Sequence, residues 1–135
     1  MEQSTITFIP RDEFASGTCL QHAGVQLSYS DLVRMFGKPH FEGIGDKTTT
    51  EWTIEWQQYD AEWDELTTGK FTIYDWYFAR DLNDDYKATS WNIGGNSISD
   101  YFAFMEAMEC FKADPTMDDA GLAGSHALPE VGAVA

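Results

Sequence analysis

Thr50-Glu51-Trp52-Thr53-Ile54-Glu55-Trp56 is the stretch that decides the fold. Trp52, Ile54 and Trp56 alternate with Glu51, Thr53 and Glu55. That period is the mark of a strand with one buried and one open face, and its residue types suit a pleated, half-buried surface. We read a strand with aromatics inward and carboxylates outward. Residues 60–69 follow as a polar, acidic connection ending in Gly69. Phe71 to Phe78 is a second strand, with Phe71, Ile73 and Asp75 on one side and Thr72, Tyr74, Trp76 and Phe78 on the other. Apolar groups on both sides mark it as central. After an acidic turn over 81–87, Ala88 to Ile93 is a third strand, ended by Gly94-Gly95.

A helix comes next. Ser97 caps it, Asp100 closes a capping box, and its body runs to about Lys112. Ile98, Tyr101, Phe102, Met105, Met108 and Phe111 recur at the helical period, and we read them as the buried stripe. Asp114-Pro115 stops the helix. Residues 114–135, rich in Ala and Gly, are expected to form a flexible tail. On the N-terminal side, Ser4 to Ile9 alternates as a short strand before Pro10, and 11–27 is irregular. Ser28 to Phe36 is a helix with Ser28 and Asp31 as its capping box, stopped by Gly37 and Pro39. The expected architecture is one α+β domain over 1–113. It has an antiparallel sheet of three or four strands and two helices on one face. The other sheet face should be partly solvated and acidic.

The chain has 135 residues, 23 acidic against 8 basic, for a net charge of -15. Two domains would each be too small to bury a good core. Hydrophobic content of 43% separates the chain from disordered acidic tails. The charge opposes direct binding to nucleic acid, whose phosphates need Lys and Arg, and to anionic membranes. Cys19 and Cys110 make no disulfide framework, so reduced thiols in a cytoplasm are expected. Met1-Glu2-Gln3-Ser4 does not resemble a signal peptide, and no apolar run is long enough for a membrane helix.

The string Leu32-Val33-Arg34-Met35-Phe36-Gly37-Lys38-Pro39 precedes Lys47-Thr48 and Glu51-Trp52-Thr53-Ile54-Glu55-Trp56. Thr72-Ile73-Tyr74-Asp75-Trp76 and Trp91-Asn92-Ile93-Gly94-Gly95 follow. Over roughly residues 28–110 the chain resembles a loose group of small proteins carried by bacteriophages and plasmids. An acidic insert at 59–69 and the tail depart from that group. The resemblance implies a location in the bacterial host cytoplasm. It also implies an inhibitor of host defence, of anti-CRISPR or anti-restriction character. It carries over no functional residues.

The acidic cluster is the strongest functional signal. Glu51, Glu55, Asp60, Glu62, Asp64 and Glu65 come without a basic residue among them, and Asp75, Asp81, Asp84 and Asp85 come with Arg80 alone. Outward residues on a strand repeat at about 6.8 Å, roughly twice the phosphate spacing along one DNA strand. Such carboxylates fit a groove lined by Lys and Arg. A solvated surface is the plainer account, but solubility calls for a charge of only about 2 to 8 in a small domain. Trp63, amid Glu62, Asp64 and Glu65, is either an exposed interface anchor or a side chain folded back onto the sheet edge.

Asp60-x-Glu62-x-Asp64-Glu65 lacks the central Gly of a calcium loop. Cys19-x-x-His22 is short of the ligands for zinc, so Cys19 is read as a small hydrophobe beside Leu20 and His22 as a surface side chain. Trp52, Trp56, Tyr74, Trp76, Trp91, Tyr101 and Phe102 are read as packing rather than base-stacking groups. Gly94-Gly95-Asn96-Ser97 before a helix is the best place for a phosphate, although a turn and a cap explain it fully.

The reading is a non-enzymatic inhibitor of bacterial immunity, without cofactor or metal, and a monomer or homodimer. It would cover the basic nucleic-acid-binding surface of a Cas or restriction effector with its acidic face. The alternatives are a protein that sequesters a nucleotide signal, and a small acidic phage assembly protein.

Overall fold

The computed structural model describes residues 3–13, 15, 17–42, 50–75 and 90–128. The elements run β1 (Thr5–Arg11), β2 (Cys19–Gln26), α1 (Tyr29–Phe36), β3 (Phe41–Glu42), β4 (Thr50–Asp60), β5 (Glu65–Tyr74), β6 (Ser90–Gly95), α2 (Ile98–Ala113) and β7 (Gly124–Ala127). Six strands pair antiparallel in the order β2-β6-β5-β4-β1-β7, and the two-residue β3 joins β4. The α+β class is as expected, but the sheet is nearly twice as wide as the three or four strands read from the sequence. The missed strands have reasons. Register shifts in β2 between Leu20 and His22, and between His22 and Val25, break its period. The β7 sequence Gly-Ser-His-Ala has no apolar alternation at all. Pro10 lies inside β1, at a position that β7 does not reach, so its missing N–H costs no ladder bond on that side.

One face of the sheet is the core. Paired residues share a face, so the register places Phe8, Trp52, Ile54, Trp56, Phe71, Ile73 and Ile93 together. Both helices lie on it: the Phe71 ring meets Phe36 of α1 at 5.9 Å and Phe104 of α2 at 5.7 Å, both edge to face. Ser28 and Asp31 form the expected capping box of α1.

The second helix is rotated from its expected orientation. Asp100, Ala103, Phe104 and Ala107 face the core, whereas Ile98, Phe102 and Met105 are exposed, Phe102 by 58%. The cause is Asp100. Its Oδ1 accepts hydrogen bonds from Trp56 Nε1 (2.8 Å) and the Lys70 N–H (3.1 Å), and its Oδ2 from the Asn96 (2.7 Å) and Ser97 (3.2 Å) N–H groups. A carboxylate with four donors fixes the start of the helix, and the rest of the face follows at the helical period.

Residues 114–128 are packed rather than forming the expected flexible tail. The N–H groups of Ala120, Gly121 and Leu122 donate to the Val33, Arg34 and Met35 carbonyls at the C-terminal end of α1. The Val33 carbonyl also accepts from the Gly37 N–H that caps α1, and the Arg34 and Met35 carbonyls lie beyond that last turn, so the chain that follows α2 completes α1. Arg34 donates to the Met117 and Pro115 carbonyls, and Met117, Leu122 and Leu128 are buried. The last part of the expected tail, 129–135, lies outside the described residues.

The sheet's other face also differs from expectation. Thr53, Thr72 and Asn92 at its middle are buried, so it is polar and covered there rather than solvated and acidic. No helix among the described residues is long and apolar enough to cross a membrane.

Candidate functional site

The turn of the β4–β5 hairpin carries exposed acidic residues. Its strands pair without interruption from Glu51↔Tyr74 to Asp60↔Glu65, leaving the turn Ala61–Asp64. Local bonds hold the turn. Asp60 Oδ1 accepts from the Glu62 (2.9 Å) and Trp63 (3.3 Å) N–H groups. The Tyr59 hydroxyl donates to Asp64 Oδ1 (2.8 Å), and the Ala61 N–H donates to Ser4 Oγ (3.0 Å). Asp64 takes a left-handed φ of 50°, which Asp tolerates better than most residues. On this braced turn Trp63 is 72% exposed, and Glu62, Asp64, Glu65 and Leu66 are exposed around it.

The rest of the predicted acidic face does not converge on it. Glu51 lies nine residues from Asp60 along β4, about 30 Å at strand rise. Glu55 is ion-paired with Arg11, whose Nη2 is 2.6 Å and Nε 2.8 Å from Oε2. Asp75 is only 1% exposed and belongs to the interior: its Oδ1 accepts from the Thr50 N–H at 2.9 Å. Asp81, Asp84 and Asp85 lie outside the described residues. The predicted set therefore reduces to Asp60, Glu62, Trp63, Asp64 and Glu65.

Sequence reasoning missed a titratable cluster on the covered polar face. His40 Nε2 lies 3.1 Å from Glu51 Oε2 and 3.1 Å from Thr53 Oγ1. Burial, and then the Asp75 charge, push the Glu51 carboxyl up to about 7. Burial also lowers His40, with Asp12 opposing. Tyr74, paired across from Glu51, is raised by burial and by Glu51 and Cys19. The burial that raises Glu51 and lowers His40 favours their neutral forms over an ion pair. Glu51 alternates with Trp52 as a solvated residue would, so the pattern gave no hint of its burial.

The other constellations resolve from geometry. At Gly94-Gly95-Asn96-Ser97, Asp100 already takes the two N–H groups that a phosphate would need. A Cβ on Gly95 would lie 2.6 Å from that of Asp100, and one on Gly69 would lie 2.7 Å from Trp56, so both glycines make room for this carboxylate. Trp52, Trp56 and Trp91 are core residues with no face free for a base; Trp76 lies outside the described residues. Cys19 is exposed rather than packed, as is Leu20; His22 is a surface side chain as expected, stacked on Tyr101 at 4.8 Å. Burial, then Glu106 and Glu109, push the Cys110 thiol up, away from thiolate chemistry. No group of three His, Cys, Asp or Glu side chains among the described residues is arranged to hold a metal ion. A cavity of about 480 Å³ is lined by Glu13, Ala15 and Thr18 together with Glu55, Thr68, Lys70 and Asn96. No known protein family, no curated protein and no solved structure matches this chain.

Proposed function

We propose that the protein is a non-enzymatic binding protein that docks on a basic, nucleic-acid-binding surface through the tip of the β4–β5 hairpin. The observation that carries this reading is Trp63, 72% exposed on a hydrogen-bonded turn and ringed by Asp60, Glu62, Asp64 and Glu65. An aromatic anchor inside a ring of one charge is the pattern of an interface hot spot. No basic residue lies between Glu51 and Gly69 to neutralise it. Long-range attraction would speed encounter, and salt would weaken it. With the resemblance to phage- and plasmid-borne proteins, the reading extends to an inhibitor of a bacterial defence effector that competes with DNA or guide RNA.

The test is a gel-shift competition between the protein and DNA for purified restriction and Cas effectors. The wild-type protein should displace DNA from one of them. The E62K/D64K/E65K variant should lose at least tenfold in potency while its unfolding temperature stays within a few degrees. Equal potency of the two proteins would end the docking model.

A further inference from the structure

One stretch of sheet edge stands open beside the hairpin. β6 pairs with β5 only over Phe71–Tyr74 and then turns away at Asn96 into α2. From Glu65 to Lys70, β5 therefore has β4 on one side and no strand on the other among the described residues. The direction of its backbone groups follows from two bonds. The Asp75 N–H points to the Thr50 carbonyl of β4, and the Lys70 N–H points the other way, to Asp100. Alternation along an antiparallel strand then turns the N–H and C=O groups of Leu66 and Thr68 towards the open edge. Neither amide donates a side-chain or turn hydrogen bond among the described residues.

The sheet's two outer edges are blunted in familiar ways: β2 carries two register shifts and β7 is four residues long. The Glu65–Lys70 edge has neither device, and its register with β4 is unbroken. The cavity of about 480 Å³ lies directly against it, with Thr68 and Lys70 of the edge among its walls. A backbone edge beside a side-chain pocket is the arrangement that strand-adding domains use for extended peptides.

We propose that the Glu65–Lys70 edge of β5 takes up an extended basic segment of the partner protein by strand addition, with side chains of that segment entering the cavity. The charge selects this occupant. In the cavity wall Glu55 is already paired with Arg11 and Glu13 stands with Lys70, so the preference for a basic segment comes from the chain's net charge of -15. A second copy of the chain would bring another net charge of -15 to the same place. The inference rests on the reading of a basic partner and adds how it is held.

The probe is a terminally blocked peptide, Lys-Val-Lys-Val-Lys-Val, titrated into the full chain and followed by amide-resolved NMR. Hydrogen exchange at Leu66 and Thr68 should slow at least tenfold on binding. Thr68→Pro should weaken binding at least tenfold where Thr68→Ala does not, because it removes a donor that points away from β4. The same peptide N-methylated at its valines should also bind at least tenfold more weakly, which tests the backbone bonds without altering the protein. Retained binding of the methylated peptide would overturn strand addition. So would binding that shifts Trp63 but leaves Leu66 and Thr68 unprotected, although that result would keep the hairpin reading. No binding at millimolar peptide would overturn strand addition too, with the effector competition remaining as the separate test of the hairpin.

Discussion

Asp100 shows how much one side chain decides in this molecule. It caps α2, receives the Trp56 indole N–H and terminates the free edge of β5 at Lys70. Asp100→Ala would leave the buried Trp56 donor without a partner, at about 1–3 kcal/mol, and three part-buried N–H groups as well. The expected loss is at least 3 kcal/mol, read from chemical denaturation, and Gly69→Ala should destabilise as well because its Cβ would press on Trp56. The sequence reveals Asp100 as a capping residue, but the burial of its carboxylate depends on glycines 31 and 5 residues away that read locally as turn punctuation. Glu51 gives a second prediction at this scale. Between pH 4.5 and about 7 the folded protein keeps a proton that the unfolded chain has released, so stability falls as pH rises across that window. At about 1.4 kcal/mol per pH unit the full effect is roughly 3 kcal/mol. His40 acts in the opposite sense below pH 6.5, where the unfolded chain takes up a proton that the folded state resists. Thermal unfolding of Glu51→Gln from pH 5 to 8 should therefore show higher stability at pH 8 than wild type and a lost downward slope. An unchanged slope would mean that Glu51 is charged in the fold.

The rotation of α2 belongs to the scale of elements. Apolar residues cover both sides of this helix, so periodicity finds two candidate stripes and cannot rank them. Phe104→Ala should cost about 3–5 kcal/mol, as for a buried aromatic, while Phe102→Ser should stay within about 0.5 kcal/mol. The reverse order in a denaturation series would restore the orientation read from the sequence. The segment after α2 shows a different limit. Its value to the fold lies in backbone donors that meet the end of α1, and backbone donors leave no trace in side-chain patterning. Leu122, fully buried, is the side chain that marks it, and Leu122→Ala should cost about 2–5 kcal/mol. The β4 strand and both capping boxes were legible because their side chains alternate or repeat at fixed spacing. β2 and β7 were not, since bulges and small residues erase that spacing.

For the molecule as a whole, charge is unevenly engaged. Glu55 is paired with Arg11, Glu51 and Asp75 are drawn into the interior, and the hairpin tip keeps its carboxylates in solvent. The sequence predicts one acidic face; the fold divides it, because strand length separates Glu51 from Asp60 and side-chain burial cannot be read from a run of acids. What stayed legible was the tip, where Trp63 interrupts the acids in a segment too polar to fold inward. Affinity capture from bacterial lysate tests the central claim most directly, with wild type and the E62K/D64K/E65K variant run side by side and eluted with salt or competing DNA. One nucleic-acid-binding protein should be retained by wild type, released by DNA, and not retained by the variant. Capture of the same protein by both, or of no nucleic-acid-binding protein by wild type, would contradict it.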